Sequence, residues 1–311
     1  MTRPGRSNVA ASVHQRLLNQ ARESSRTFNE LLQLYAMERF LYRLSVSLHA
    51  ETFVLKGALM LAVWRAPMSR PTMDIDLLGH GGNNVEGLVA AIREVCETPV
   101  EGDGLLFDPA TVAGERIAEE AVYQGVRIRF RGALGNARIA MRLDIGFGDV
   151  VEPSPLLVDY PTLLDMPAPR LRGYTRESSV AEKLAAMVSL GELNSRMKDF
   201  FDIWLLSRHF EFDGATLAKA VARTFTTRGM EMPRLPVGLT RAFVEVPGKA
   251  AQWRGFIRKS RLADAPGELG EVVRAVGAFL APITEALAAD RAFAASWAAP
   301  GPWVPEDDER G

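Results

Sequence analysis

The chain has 311 residues, of which 47% are hydrophobic and 24% charged, a length that allows two domains of ordinary size. Its 37 basic and 38 acidic side chains give a net charge of -1, so the overall charge does not indicate a nucleic-acid-binding protein, although a local basic face is compatible with it. The single cysteine, Cys96, excludes an intramolecular disulfide and a thiolate metal site. Because no apolar segment is long enough to cross a bilayer and the N-terminus lacks a signal-peptide core, we expect a cytoplasmic protein with no membrane partner.

The first part of the chain is predicted to be helical, over residues 10–24 and 27–47. In the second of these helices, Phe28, Leu31, Leu32 and Tyr35 begin an apolar stripe at helical spacing. A short apolar segment, "FVLKG", precedes a helix predicted over residues 58–64, and the prolines of "RAPMSRP" end it.

The segment "TMDIDLL", residues 72–78, alternates with period two and is predicted to be a strand. Met73, Ile75 and Leu77 share one face, whereas Asp74 and Asp76 share the other. A helix is predicted over residues 84–97. Residues 121–150 then alternate again on both sides of a turn at residues 135–136, which predicts a hairpin carrying a third acid, Asp144.

The C-terminal half is predicted to be helical. Five prolines between residues 153 and 169 separate the strand-forming part of the chain from the helical part. Helices are predicted over residues 176–192, 195–210, 214–225, 250–260 and 264–291. The Pro-rich acidic tail is expected to be disordered. The predicted organisation is α+β: N-terminal helices over residues 1–50 packed on a core over residues 51–170, then a helical domain over residues 171–295 and the tail over residues 296–311.

Two acids on one face of a strand point to a cation. Residues two apart on a strand advance about 6.6 Å and return to the same face, so Asp74 and Asp76 project side by side. Burying unpaired carboxylates is costly, and Mg²⁺ takes oxygen ligands from one or two carboxylates together with substrate phosphates. Asp144 would complete a three-acid cluster if its strand pairs with theirs. The alternative is that Asp-x-Asp is a solvated strand face.

Upstream of the acids, "LKGAL" supplies a second part of the pattern. Gly57 allows a close backbone approach, and the helix after it offers N–H groups to a phosphate. A glycine turn, a helix N-terminus, a strand with Asp-x-Asp and a later strand with one more Asp follow the order found in nucleotidyltransferases.

Several segments together resemble the AbiEii/AbiGii family of nucleotidyltransferase toxins, which includes the MenT toxins. They are "FVLKGALMLAVW", "RPTMDIDLL", "LDIGFGD", "AEKLAAMVSLG" and "RMKDFFDIWLL", and the resemblance covers residues 10 to 210. It implies a DNA polymerase β-like nucleotidyltransferase domain with a helical C-terminal domain. It also implies the toxin half of an abortive-infection or type IV toxin–antitoxin pair, with a winged-helix antitoxin encoded nearby. MenT members transfer nucleotides to the 3′ end of tRNA.

The resemblance also implies roles for individual residues. Asp74, Asp76 and Asp144 stand at the positions that bind Mg²⁺ or Mn²⁺, and Asp144 would help to activate the acceptor hydroxyl. The NTP would be bound near the glycine turn, by Lys56, Gly57, Ala58, Arg70 and Thr72. Lys183 and Asp202 stand at further catalytic positions, and Lys183, Lys198 and Asp199 would bind the nucleotide. Because Ala58 stands where the wider superfamily has Gly or Ser, only backbone N–H donors remain at the turn.

Alternatives stay open for three of these features. The helix with Lys198, Asp199 and Asp202 is alternatively a surface helix with an i,i+4 ion pair. Arg70 either pairs with phosphate or neutralises neighbouring acids. The row of arginines in "VRIRFR" either follows a nucleic-acid backbone or is a solvated sheet face.

The expected function is therefore an Mg²⁺-dependent nucleotidyltransferase toxin that transfers NMP from an NTP to tRNA. One alternative keeps the fold and makes the acceptor a protein hydroxyl, as in AMPylation or UMPylation. The other is an inactive nucleotidyltransferase fold that binds nucleotide or antitoxin, against which the intact acids at all three positions argue.

Overall fold

The computed structural model describes residues 6–24, 26–67, 70–119 and 123–306. The chain folds into two compact units. The first comprises Met1–Arg65, Pro71–Phe147 and Leu156–Gly173, and the second comprises Ala66–Arg70, Gly148–Pro155 and Tyr174–Gly311. The first unit thus takes in both the N-terminal helices and the sheet, while two short segments from the middle of the chain join the second.

A seven-stranded mixed sheet forms the centre of the first unit. Its strands are β1 (Phe53–Lys56), β2 (Ile75–Gly79), β3 (Leu105–Glu119), β4 (Tyr123–Leu134), β5 (Ala137–Phe147), β6 (Leu156–Asp159) and β7 (Arg170–Gly173). They lie in the order β3-β4-β5-β2-β1-β7-β6. The pairs β2–β5 and β1–β7 are parallel, and the other pairs are antiparallel.

Helices accompany this sheet: α1 (Arg6–Glu23), α2 (Phe28–Ser45), the five-residue α3 (Leu59–Val63) and α4 (Val85–Glu97). A capping box starts α2, because the Thr27 hydroxyl accepts the N–H of Glu30 while the Glu30 carboxylate accepts the N–H of Thr27. Phe40 of α2 packs on Phe107 of β3 and Phe130 of β4, with ring centroids 5.8 and 5.1 Å apart. The helix α2 therefore covers the face of the sheet that carries Phe130. The residues of β4 and β5 that alternate with the buried ones project from the opposite face.

The hairpin predicted around residues 135–136 is confirmed for β4 and β5, while residues 121 and 122 lie outside the described residues. The strand predicted from residue 72 begins only at Ile75, so that boundary was wrong, and Met73 before it is 54% exposed. Strand β3, which a register shift between Asp108 and Ala113 interrupts, was not predicted from the sequence. Neither were β6 and β7, four-residue strands within the proline-rich connector.

The second unit is mainly helical. Its helices are α5 (Arg176–Leu190), α6 (Met197–His209), α7 (Gly214–Thr227), α8 (Arg241–Glu245), α9 (Lys249–Ser260) and α10 (Leu269–Ala288), with 3-10 turns at Gly191–Leu193 and Val237–Leu239. The helices predicted over 176–192, 195–210, 214–225 and 250–260 are confirmed, and α10 begins five residues later than predicted, at Leu269.

The expectation of a disordered tail was wrong for residues 296–306, while residues 307–311 lie outside the described residues. Strands β8 (Phe212–Asp213), β9 (Ala295–Trp297) and β10 (Trp303–Pro305) form a small antiparallel sheet. The physical reason is aromatic packing: Trp303 stacks on Phe279 of α10 at 5.6 Å, and Trp297 is buried against the same ring at 4.9 Å.

The α+β fold class with a helical C-terminal part, predicted from the sequence, is confirmed. Among the helices described, none combines the length and the apolar character that a bilayer span requires.

Candidate active site

A row of four charged residues crosses the sheet of the first unit, one from each of four neighbouring strands. Lys56 at the end of β1 lies opposite Asp76 of β2, and Asp76 lies opposite Asp144 of β5. Asp144 in turn lies opposite Arg127 of β4. Directly opposed residues project from the same face of a sheet. The row therefore brings two carboxylates together between two cations.

The Lys56 side chain extends across β2 on the face that carries the acids. A Cβ placed on Gly146 of β5 would lie 3.5 Å from Lys56 Nζ. Since Gly146 and Asp144 share one face of β5, the ammonium group lies over the strand that carries the third acid.

Two arginines engage two of the three predicted metal ligands. Arg127 donates two hydrogen bonds to Asp144, from Nε to Oδ1 and from Nη2 to Oδ2, both at 2.7 Å. Arg142, two residues before Asp144 on β5, forms an ion pair with Asp74. These bidentate and paired contacts offset the repulsion that three neighbouring carboxylates would otherwise create.

The glycine turn lies against this row. Gly57 has a φ of +73°, and a Cβ built on it would lie 2.8 Å from the Cβ of Asp76 and would overlap its carboxylate. A side chain at this position would thus meet both a disfavoured backbone conformation and an occupied space. Ala58, which follows, is 6% exposed and caps α3 without a side-chain hydrogen bond.

Thr72 orders the loop before β2. The Thr72 hydroxyl donates to the carbonyl oxygen of Asp74 at 3.2 Å, and the Thr72 hydroxyl oxygen accepts the N–H of Asp74 at 3.5 Å. This local turn places the Asp74 side chain beside β5.

The donor chemistry of the row fits a hard divalent cation. Asp76 and Asp144 offer carboxylate oxygens from neighbouring strands, and Mg²⁺ in proteins is commonly held by one or two carboxylates together with substrate phosphates. Within the part of the chain that the structure describes, no three His, Cys, Asp or Glu side chains are arranged as a complete metal site. Asp74 instead forms an ion pair with Arg142.

A second charged cluster lies inside the second unit. Asp202 of α6 accepts two hydrogen bonds from Arg70, at 3.0 and 3.1 Å, and lies 3.0 Å from Lys183 Nζ of α5. Asp199 lies 3.5 Å from Lys183 Nζ and accepts a hydrogen bond from Arg196 at 2.6 Å. The Asp199 and Asp202 side chains are 0% and 2% exposed, so two buried carboxylates are shared among three cations.

Electrostatics within this cluster favour the charged forms. Burial alone would raise the pKa of Asp202, but Arg70 and Lys183 outweigh it and lower that pKa to about 2. Burial likewise opposes the charged form of Lys183, while Asp202 and Asp199 raise its pKa above the ordinary value. Asp202 and Lys183 are therefore both charged at neutral pH.

Two alternatives left open by the sequence concern this cluster. The helix with Asp199 and Asp202 is not a surface helix, because both acids are buried, and Lys198 is exposed with no ion pair to either. Arg70 pairs with an acid of its own unit, Asp202.

The structure thus brings Lys56, Gly57, Asp74, Asp76 and Asp144 together in the first unit, and Arg70, Lys183, Asp199 and Asp202 in the second. Sequence reasoning missed Arg142 and Arg196. Their signals were their spacings, two residues before Asp144 on a strand and three residues before Asp199 at the start of a helix.

Comparison with known proteins gives one match at the level of a family. Residues 39–282 match the model of "Nucleotidyl transferase AbiEii toxin, Type IV TA system". No curated protein matches the chain.

Two solved structures from Helicobacter pylori are similar. One is described as a nucleotidyltransferase and shares 16% sequence identity, covers 84% of this chain and 96% of its own, and has a TM-score of 0.46. The other is JHP933, with 16% identity, coverage of 84% and 94%, and a TM-score of 0.47.

Proposed function

Since the chain belongs to the AbiEii family of nucleotidyl transferase toxins of type IV toxin–antitoxin systems, we propose that it is an Mg²⁺-dependent enzyme that transfers NMP from an NTP to the 3′ end of tRNA. Membership of the family gives the reaction class, the NTP substrate and an antitoxin counterpart. The metal, the tRNA acceptor and the residue roles are the proposal. The observation that carries it is the register that places Asp76 opposite Asp144 between Lys56 and Arg127.

The proposed reaction joins the acceptor hydroxyl oxygen to the α-phosphorus and breaks the bond from that phosphorus to the bridging oxygen of pyrophosphate. Pyrophosphate leaves with the electron pair, and the hydroxyl proton passes to a carboxylate or to water. Asp144 accepts the hydrogen bond of the hydroxyl and thereby orients it for in-line attack. Asp76 and Asp144, with Asp74 beside them, would hold a divalent cation, which when bound neutralises charge on the reacting phosphate.

The remaining residues of the row position the nucleotide. The absence of a side chain at Gly57 allows a phosphate to approach the backbone next to Asp76, and the Lys56 ammonium supplies positive charge on the same face. Arg127 and Arg142 hold the carboxylates in place before substrate binds, which preorganises the row.

The partners follow from the same proposal. Because the proposed substrates are NTP and tRNA, the enzyme would act in the cytoplasm. The cognate antitoxin would be a winged-helix protein of the AbiEi type encoded by a neighbouring gene, which inspection of that gene tests directly.

The test is transfer of label from each α-labelled NTP, with tRNA and a total-protein fraction offered as acceptors in Mg²⁺ or in EDTA. We expect labelled tRNA in Mg²⁺ only. Asp76→Asn should lower the rate by at least about 100-fold, because substituting even a residue that only supports a metal ligand lowers metal affinity or activity by about 10- to 100-fold. Asp159→Asn on β6, whose side chain is 73% exposed, is the matched control and should retain the wild-type rate.

Each other outcome is informative. Labelled protein bands without labelled RNA would make the enzyme a protein AMPylase or UMPylase. Stabilisation by NTP without any transfer would identify a nucleotide-binding module, and equal rates for Asp76→Asn and wild type would place the site elsewhere.

A further inference from the structure

The face of the sheet that carries the acids continues along β4 and β5 as a basic surface. Arg129 and Arg131 of β4 and Arg138 of β5 are all exposed on it, and we call these three residues the distal arginine surface. They share the face with Arg127 and Asp144 because residues at even spacing on a strand point the same way. The opposite face of the same strands is buried under α2, so the two faces are chemically distinct.

Positive charge on this surface is only partly neutralised. Arg129 pairs with Glu115 at 2.7 Å, with both side chains about half exposed. Arg131 and Arg138 have no ion-pair partner among the residues described. Asp108 lies opposite Arg131 in the β3–β4 pair, but its carboxylate accepts the N–H of Ala110 at 3.0 Å instead. Two guanidinium groups are therefore available to an anion.

A cavity of about 390 Å³ lies beside these two arginines. Arg131 and Arg138 line it together with Leu106, Asp108 and the turn at Gly135 and Asn136, so two cations and one anion face the cavity. Leu106 is 63% exposed and gives the cavity an apolar wall. Cationic groups next to an apolar concavity suit a ligand with repeated phosphates and planar bases, because the phosphates meet guanidinium groups while a base covers apolar surface.

The surface leads from the cavity to the acids. Arg138 is six residues before Asp144 on β5, a distance of about 20 Å at about 3.4 Å for each residue. Arg129 and Arg131 lie on the adjacent strand within this interval, opposite Arg142 and Ala140. An extended strand of several nucleotides whose 3′ end reached Asp144 would pass over all of them.

We infer that the distal arginine surface, with the cavity beside it, binds the sugar-phosphate backbone of an RNA acceptor and directs its 3′ end toward Asp144. The inference rests on the proposed function, because it states where the acceptor of that reaction docks. Arg131 and Arg138 act here through phosphate contacts and read no base sequence. They are binding residues, remote from the reacting atoms.

The experiment measures RNA binding in the absence of NTP, by fluorescence anisotropy with a labelled single-stranded RNA that has a tRNA acceptor-end sequence. The variant is the double substitution Arg131→Ala/Arg138→Ala in the full chain. The control is Arg254→Ala/Arg258→Ala on α9, which removes the same charge from two exposed arginines of the second unit. Circular dichroism and a thermal melt confirm that both variants fold as the wild type does.

We expect the Arg131/Arg138 variant to bind RNA about tenfold more weakly and the control variant to bind it as the wild type does. Binding is measured between about 50 and 200 mM salt. The slope of the logarithm of the association constant against the logarithm of the salt concentration should become shallower by about 1.4, because each of the two lost phosphate contacts on a single strand contributes about 0.7. Unchanged affinity, or an equal loss in the control, would overturn the inference.

The same proteins in the transfer assay separate this inference from the proposed function. If no RNA is labelled but RNA binding depends on Arg131 and Arg138, the proposed reaction is wrong and the binding surface stands. If the double variant binds and labels RNA at the wild-type rate, the surface is wrong and the reaction stands. Labelling of protein by an enzyme that binds no RNA overturns both.

Discussion

Asp76 of β2 and Asp144 of β5 are directly opposed in a parallel strand pair, so two carboxylates project from neighbouring positions on one face of the sheet. Lys56 lies beyond the first and Arg127 beyond the second. The two cations reduce the repulsion between the two carboxylates when no substrate is bound. Removing either cation should therefore destabilise the protein.

The first prediction concerns Arg127, which donates two hydrogen bonds to Asp144. Arg127→Gln should lower the free energy of unfolding by about 1 to 3 kcal/mol in EDTA, because a charged acceptor loses its partner. Mg²⁺ should restore part of this loss, since a cation can replace the guanidinium charge. Urea denaturation in EDTA and in Mg²⁺ measures both effects.

Arg129→Gln is the control for that measurement, because the Arg129–Glu115 pair on the same strand is about half exposed. Its effect should stay below about 1 kcal/mol and should not depend on Mg²⁺. An equal loss for both variants would show that Arg127 has no special role beside Asp144.

The second prediction concerns Gly57. Gly57→Ala should destabilise the fold by about 1 to 2 kcal/mol through its positive φ alone, and should also displace the Asp76 carboxylate that its Cβ would overlap. Transfer activity should therefore fall by more than tenfold. Steady-state rates and the thermal midpoint are the measurements.

Gly229→Ala separates strain from displacement. Gly229 has a φ of +60°, and a Cβ there would have no neighbour within 4 Å. This variant should show a similar loss of stability with unchanged activity, and equal losses of activity would contradict the role of Gly57 beside Asp76.

The third prediction concerns the buried cluster of the second unit. Asp202→Asn removes the carboxylate that Arg70 and Lys183 share and leaves Asp199 as the remaining buried carboxylate of the cluster beside its three cations. We expect a loss of about 3 to 5 kcal/mol in the free energy of unfolding, the range for breaking a buried ion pair. The exposed Asp159→Asn should change it by less than about 1 kcal/mol. A loss for Asp202→Asn no larger than this control would mean that the cluster is structurally dispensable.

The fourth prediction is a pH dependence caused by Glu38. Its Oε1 lies 2.9 Å from Arg39 Nε, and both side chains are 1% exposed, but the contact lacks the geometry of a hydrogen bond. Burial raises the pKa of Glu38 to about 7, against the opposing effects of the Leu163 N–H and Arg39. Because this pKa is higher in the folded than in the unfolded protein, proton binding by Glu38 stabilises the folded state. This contribution to the free energy of unfolding is complete below about pH 4.5 and is lost as the pH rises to 7.

The measurement compares wild type with Glu38→Gln by chemical denaturation across this range. The difference between their unfolding free energies should change by about 3 kcal/mol between pH 4.5 and 7, with the wild type losing stability as the pH rises. The exposed Glu115→Gln should run parallel to wild type. A constant difference between wild type and Glu38→Gln would show that Glu38 ionises normally.

Much of the candidate site was predictable because its parts are local. Period-two alternation alone places Asp74 with Asp76, and Arg127 with Arg129 and Arg131, whatever the strands pair with. The β4–β5 hairpin was predictable for the same reason, since Gly135 and Asn136 provide the turn between two alternating segments.

The parts that failed depend on distant partners. Strand β3 was missed because its register shift breaks the alternation, and only pairing with β4 keeps it extended. The tail around Trp303 has a composition typical of disorder, yet it is ordered by a ring that lies 24 residues away in α10.

Local sequence patterns predicted the identity and spacing of the charged groups and the faces that these groups share on their strands. The position of Asp76 opposite Asp144 depends on the tertiary structure, because parallel strands joined by a long connection have a register that no local pattern specifies. Only the tertiary structure, likewise, buried Asp202 against Arg70, a residue 132 positions away. An Asp in a helix is expected at the surface, because burying it is costly unless cations from distant parts of the chain pair with it.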